Sequence, residues 1–209
     1  MHFVKVSDGY ERMLNQHVAK LPNLSPKALV KRRREFFAGR WCAAKATFEL
    51  SGKYLAPEIN TDRSPAWPLN LVGSISHSDK QAVALVDEPG RCVAIGIDVH
   101  PYSGVDLVSE LKSLILTQNE LVLFPDLLIG HTFDIIFSAK ESLYKALYPL
   151  GQSFFDHQCA EVLQIDFEHS RLKIKLLKSL RYHWCAEETF VINFEEVSGE
   201  LFTWLYIEQ

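Results

Sequence analysis

The stretch Thr132-Phe133-Asp134-Ile135-Ile136-Phe137-Ser138-Ala139-Lys140-Glu141-Ser142-Leu143-Tyr144-Lys145-Ala146-Leu147 reads as one helix. Ile136, Ala139, Leu143, Ala146 and Leu147 form an apolar stripe that must face a core. Asp134, Phe137, Glu141, Lys145 and Tyr148 form a second, mixed stripe at spacings of three and four. Pro149 and Gly151 mark the expected stop. Strand-like runs follow over 160–167, 172–177, 189–194 and 201–207.

The first half has the same order. A helix is predicted from about 26 to 50, with Ser25 as cap, Pro26 in the first turn and Gly52 after the end. Leu29, Val30, Phe36, Phe37, Trp41, Ala44 and Phe48 recur along it at helical spacing. After the loop Asp62-Arg63-Ser64-Pro65-Ala66-Trp67-Pro68 come three valine- and isoleucine-rich runs, 71–76, 82–86 and 92–99, which read as an antiparallel meander. Two shorter helices are predicted over 107–116 and 117–124. Helix then sheet, twice, is an α+β plan in two subdomains. The break falls near Pro101–Gly104, giving subdomains 1–102 and 103–209.

The bulk properties bound the function. The 209 residues are 47% hydrophobic, enough for a sizeable core. A net charge of −4 gives no support to a nucleic-acid binder, so any basic site is local. Cys42, Cys92, Cys159 and Cys185 form no CxxC pair and no zinc spacing with histidine. No basic-then-apolar leader opens the sequence, and no apolar stretch nears the ~20 residues that span a bilayer. The expectation is a cytoplasmic protein with reduced thiols.

Several residues stand out, each with an ordinary explanation beside the chemical one. Glu141 and Lys145 fit an i,i+4 surface pair worth about 0.3–0.5 kcal/mol; they also lie on a face apart from the core. Asp98 interrupts the apolar run Ile95-Gly96-Ile97-Asp98-Val99-His100, where it is either solvated at a strand end or held by a cation. Magnesium takes few carboxylates, several waters and substrate phosphates, which would suit Asp98 with Glu141. Gly73-Ser74-Ile75-Ser76-His77-Ser78 offers hydroxyls and an imidazole to a phosphate, or is a turn whose serines satisfy local backbone. The run Lys31-Arg32-Arg33-Arg34 is a solvated face by default. Arg33, Phe37, Arg40 and Ala44 nevertheless share a stripe, and a guanidinium among apolar neighbours needs an anionic partner. No P-loop or Rossmann glycine pattern is present.

Taken in order, four blocks resemble the 4′-phosphopantetheinyl transferase superfamily, in the branch of enterobactin synthase component D. They are Phe36-Phe37-Ala38-Gly39-Arg40-Trp41-Cys42-Ala43-Ala44; Pro65-Ala66-Trp67-Pro68 with Gly73-Ser74-Ile75-Ser76-His77; Ile95-Gly96-Ile97-Asp98; and Phe137-Ser138-Ala139-Lys140-Glu141-Ser142-Leu143-Tyr144-Lys145-Ala146. The resemblance implies two similar α+β subdomains related by a pseudo-twofold, each a small antiparallel sheet packed with helices, with coenzyme A in the cleft between them. It implies transfer of the 4′-phosphopantetheine group from coenzyme A to a serine of an apo acyl, peptidyl or aryl carrier protein, releasing 3′,5′-ADP. The branch and length imply siderophore or nonribosomal peptide synthesis and a monomer.

Carried over by position, Asp98 and Glu141 would hold magnesium (Mg2+). Glu141 and Lys145 would be catalytic, and Lys145 would also contact the phosphate under attack. Arg33, Arg40, Arg63, Ser76 and His77 would bind coenzyme A. At one metal position the family has a carboxylate and this chain has His100. Imidazole is a poor magnesium ligand, so that site implies water in its place or acceptance of manganese. The alternative is a coenzyme-A-binding protein whose transferase activity is weakened or lost through His100.

Overall fold

The computed structural model describes every residue except 21, 23, 26, 182, 183 and 209. Its packing divides the chain into two units, Met1–Val99 with Tyr206–Gln209, and His100–Leu205. Among the described residues, no helix is long and apolar enough to cross a membrane.

The first unit contains β1 (His2–Lys5), α1 (Tyr10–His17), α2 (Val30–Ser51), β2 (Glu58–Ile59), β3 (Pro65–Ala66), β4 (Val72–His77) and β5 (Gln81–Asp87), and the start of β6 (Ala94–His100). β1, β5 and β4 form an antiparallel sheet in that order, with Phe3 opposite Val83 and Ile75 opposite Ala84. α2 is buried almost all round through its middle, because two different surfaces claim it. Ala38, Cys42 and Ala43 meet Ala82 and Ala84, small residues that let helix and sheet approach closely. Phe36, Phe37, Trp41 and Ala44 pack with Leu14 of α1. Gly39 permits the approach of α2 to β4: a Cβ there would lie 2.8 Å from the Ile75 methyl. Gly73 leaves room for Trp67 in the same way, since a Cβ would fall 2.5 Å from the indole ring.

Two expectations for this half are corrected. α2 starts at Val30, four residues later than predicted. Ser25 caps nothing there; its hydroxyl and carbonyl accept the N–H groups of Lys27 and Ala28, closing a separate turn, and Pro26 lies outside the described residues. The three runs also do not form a meander. β1 takes the place beside β5, and β6 lies outside that sheet. Ser74 and Ser76 project from one face of β4, and their hydroxyls accept the N–H groups of Ile97 and Val99, both at 3.2 Å. Side chains on β4 thus reach β6, while the backbone at its start bonds to the end of the last strand, Val93 N–H to the Ile207 carbonyl at 2.7 Å, and not to β5.

The second unit contains α3 (Val105–Ile115), α4 (Gln118–Leu123), α5 (Thr132–Gly151), β7 (Ala160–Asp166), β8 (Arg171–Leu176), β9 (Thr189–Val197) and most of β10 (Glu200–Ile207). β10, β9, β8 and β7 follow one another as antiparallel neighbours. Ser138 and Ser142, one turn apart on α5, clamp Thr203 of β10 through hydroxyl contacts at 3.0 and 2.6 Å. Lys140, buried on the same helix, donates to Glu120 Oε2 at 2.6 Å and to the Ile115 carbonyl at 2.9 Å. Glu120, 0% exposed, also closes a capping box with Thr117 and accepts the Val162 N–H at 2.7 Å. α5 runs past the expected end near Leu147 and through Pro149, and it stops at Gly151, the second of the expected markers. In the last turn a proline forfeits one backbone bond, and Gln152 N–H seals the end on the Tyr148 carbonyl at 2.7 Å.

Candidate active site

In the first unit the basic run on α2 divides by partner. Arg33 donates twice to Glu11, at 2.8 and 2.6 Å, and Arg34 twice to Asp8, at 2.6 and 2.8 Å. The Arg34 pair is bidentate, Nε and Nη2 on two oxygens, and Arg33 uses Nη2 alone; together they tie α2 to the segment leading into and through α1. Arg33, expected at the ligand, is therefore committed to Glu11. Arg32 is different: its Nη1 lies 3.0 Å from His77 Nε2. A guanidinium only donates, so His77 accepts at Nε2 as a neutral ring. Glu35, three residues on and so nearly one turn away, approaches both Arg32 and His77 at just under 4 Å.

Arg40 is 7% exposed. Its Nε donates to the Pro57 carbonyl at 3.1 Å and its Nη2 to the Glu58 carbonyl at 3.4 Å, while the guanidinium lies 4.4 Å from the centre of the Phe36 ring. Among the described residues no carboxylate pairs with it. Burial, reinforced by the charge of Arg32, brings its pKa down to about 10. The hairpin that supplies those carbonyls also carries Arg63. Asn60 and Ser64 close its turn, and Arg63, exposed, adopts the left-handed region at φ 73.

Asp98 is buried at the end of β6 and accepts a 2.8 Å hydrogen bond from the Ser76 hydroxyl. Ser76 therefore joins His77's strand to the Asp98 carboxylate. The bland reading of this turn also holds in part, since Ser78 accepts the N–H groups of Lys80 and Gln81.

In the second unit, His100 Nε2 lies 3.3 Å from the buried carboxylate of Asp134 and 3.4 Å from the Ser103 hydroxyl, with its ring against Phe137. Glu141 and Lys145 lie one turn apart on α5. Glu141 borders a cavity of about 180 Å3 walled by Tyr144, Phe154, Phe155 and His157. His157 Nε2 is 2.7 Å from Glu141 Oε1. Sequence reasoning missed Arg32, Asp134 and His157. The run Phe154-Phe155-Asp156-His157 directly after α5 was the available signal for the last.

Sequence comparisons agree with these blocks. Profiles of the 4′-phosphopantetheinyl transferase N-terminal domain and of the 4′-phosphopantetheinyl transferase superfamily match residues 21–87 and 94–195. Enterobactin synthase component D of Escherichia coli K12 is 37% identical over 199 residues, covering 92% of this chain and 91% of that protein. The 4′-phosphopantetheinyl transferase Npt of Nocardia iowensis is 34% identical over 161 residues, 73% of this chain and 68% of its own. The 4′-phosphopantetheinyl transferase PptT of Mycobacterium tuberculosis is 29% identical, covering 83% of this chain and 84% of its own. The chain belongs to the 4′-phosphopantetheinyl transferase superfamily and is an enzyme of that class. The alternative of a coenzyme A binder without transfer gains no support, because these relatives are named for transfer or synthesis.

Proposed function

We propose that this enzyme moves the 4′-phosphopantetheine group of coenzyme A onto a serine of an apo carrier protein, in siderophore or related nonribosomal peptide assembly. The observation that carries the reading is Arg40, a buried guanidinium with two carbonyls and a ring for company and, among the described residues, no carboxylate. A charge held in that way is completed by an anion, and coenzyme A brings phosphates. Arg63, on the hairpin that steadies Arg40, adds a donor to the same ligand, as does His77 through Nδ1 while Arg32 holds its Nε2. Enterobactin synthase component D, similar over nearly the whole chain, supports the siderophore assignment.

The donor set suits magnesium. Asp98 and Glu141 offer hard carboxylate oxygens, and Asp98 is already steadied by Ser76. Within neither unit do three histidine, cysteine or acidic side chains of the described residues form a metal cage. An ion held by few protein atoms, waters and phosphates matches magnesium's habit. His100 lies beside Asp134, so water would take its place at the metal. When bound, the metal neutralises charge that develops on the pyrophosphate oxygens. Lys145 steadies the negative oxygens of the phosphate under attack. Glu141, or a water that it orients, receives the proton of the carrier serine hydroxyl.

Incubation with coenzyme A, Mg2+ and an apo carrier protein should add about 340 Da to the carrier, the mass of the transferred group. Asp98→Ala and Glu141→Ala should each abolish the gain. No gain on siderophore, polyketide or fatty-acid carriers would overturn the reading, and full activity of either variant would overturn its metal assignment.

A further inference from the structure

We propose that His157 is a positioning residue for Glu141: it holds one carboxylate oxygen so that the other is presented to the metal ion. The inference rests on the metal role given to Glu141 above and extends it to a residue outside the four family-like blocks.

His157 opens a single 3-10 turn, His157–Cys159, and that turn is fixed from three sides. The Asp156 carboxylate accepts the Gln158 N–H at 3.1 Å, and the Asp156 carbonyl accepts the Cys159 N–H at 3.1 Å. The Gln158 side chain donates to the Ser113 carbonyl at 2.8 Å, which ties the turn to α3. The imidazole stacks on Phe137, with ring centres 5.4 Å apart and planes 23° apart. Phe137 and Glu141 are one turn apart on α5, so a single rigid helix face supplies both the ring platform and the carboxylate.

From this seat Nε2 reaches Glu141 Oε1 at 2.7 Å. An ionised carboxylate only accepts, so Nε2 carries the proton and donates. Among the described residues, Oε2 has no hydrogen-bond partner. The arrangement gives Glu141 one oxygen in use and one on offer. A glutamate has three rotatable bonds, and a carboxylate that must ligate a metal loses that freedom on binding. The bond from His157 removes much of it beforehand, as partners of metal ligands commonly do. The contact differs from an ordinary surface pair in that the stacked ring and the anchored turn restrain the donor as well.

The test is metal affinity in the presence of coenzyme A without carrier protein, read as free Mn2+ by electron paramagnetic resonance. His157→Phe keeps an aromatic ring on Phe137 and removes the donor; it should weaken Mn2+ binding about tenfold. His157→Gln places an amide nitrogen near the position of Nε2 and should restore affinity to within about threefold of the parent. Metal-free melting temperatures of both variants should match the parent. Parental Mn2+ affinity in His157→Phe, with binding lost in Glu141→Ala, overturns this inference and leaves the Glu141 assignment standing. Parental affinity in Glu141→Ala overturns the assignment itself. A lower metal-free melting temperature in His157→Phe, with no recovery of affinity in His157→Gln, makes His157 a packing residue and also overturns the inference.

Discussion

Replacing Arg40 by methionine should stabilise the ligand-free protein while removing most of its affinity for coenzyme A. The depression of the Arg40 pKa to about 10 corresponds to a charging cost of about 3 kcal/mol in the fold. Arg40→Met relieves that cost and keeps much of the buried volume. Against it stand the contact with Phe36, worth about 1 kcal/mol, and the bonds to the Pro57 and Glu58 carbonyls, worth about 1 kcal/mol net. The balance is a gain of roughly 1 kcal/mol, or about 2–4 °C in melting temperature for a chain of this size. With ligand the sign reverses. Coenzyme A at about 100 times its Kd should add about 2.7 kcal/mol to the parent, a rise of roughly 5–10 °C. Loss of charge-assisted bonds worth about 1.5–3 kcal/mol should weaken binding roughly 10- to 100-fold and erase from about half to most of that rise. Differential scanning fluorimetry with and without coenzyme A reads both effects. A ligand-free melting temperature lowered by several degrees would show that Arg40 is a structural anchor; an undiminished ligand shift would remove it from the binding site.

Glu120→Ala strands the Lys140 ammonium in the core and should cost about 3–5 kcal/mol, whereas the double change Glu120→Met with Lys140→Met should recover much of that loss in chemical denaturation. Gly73→Ala forces a methyl into the Trp67 ring and the Leu85 carbonyl, at 2.5 and 2.8 Å, and should destabilise by about 1–3 kcal/mol with a change in tryptophan fluorescence. Brief alkylation of the native protein should label Cys185, which is exposed. Burial raises Cys42 to about 12 and Cys92 to about 11, so at pH 8 both stay thiols and resist; peptide mapping checks the order.

Small antiparallel sheets packed with helices are legible in the sequence because a long apolar run marks α2 and apolar patterning marks α5 and β7 to β10. Boundaries fail where one side chain decides them. Ser25 looks like a helix cap but serves a turn of its own. Pro149 looks like a stop but costs little in a final turn. The place of β6 is not legible at all, since serine hydroxyls on β4 take backbone donors that a meander would pair, and no pattern of apolar residues announces that. At the candidate site, family-like blocks pick out Arg40, Asp98 and Glu141, together with Ser76 beside Asp98, while other partners come from elsewhere. His157 lies outside those blocks, and Glu11, which occupies Arg33, is 22 residues from it in sequence. Such partners depend on tertiary geometry rather than on spacing.

The two serine hydroxyls on β4 also make the protein its own reporter. Ser76 donates to Asp98 and at the same time accepts from Val99 N–H, so a ligand that draws on Asp98 or Ser76 acts on the bond protecting that amide. Ile97 N–H, two residues before Val99 and held by Ser74, is an internal reference. Hydrogen–deuterium exchange at these two amides would follow occupancy in the unlabelled enzyme, with Val99 responding to ligand and Ile97 recording the background opening of the strand.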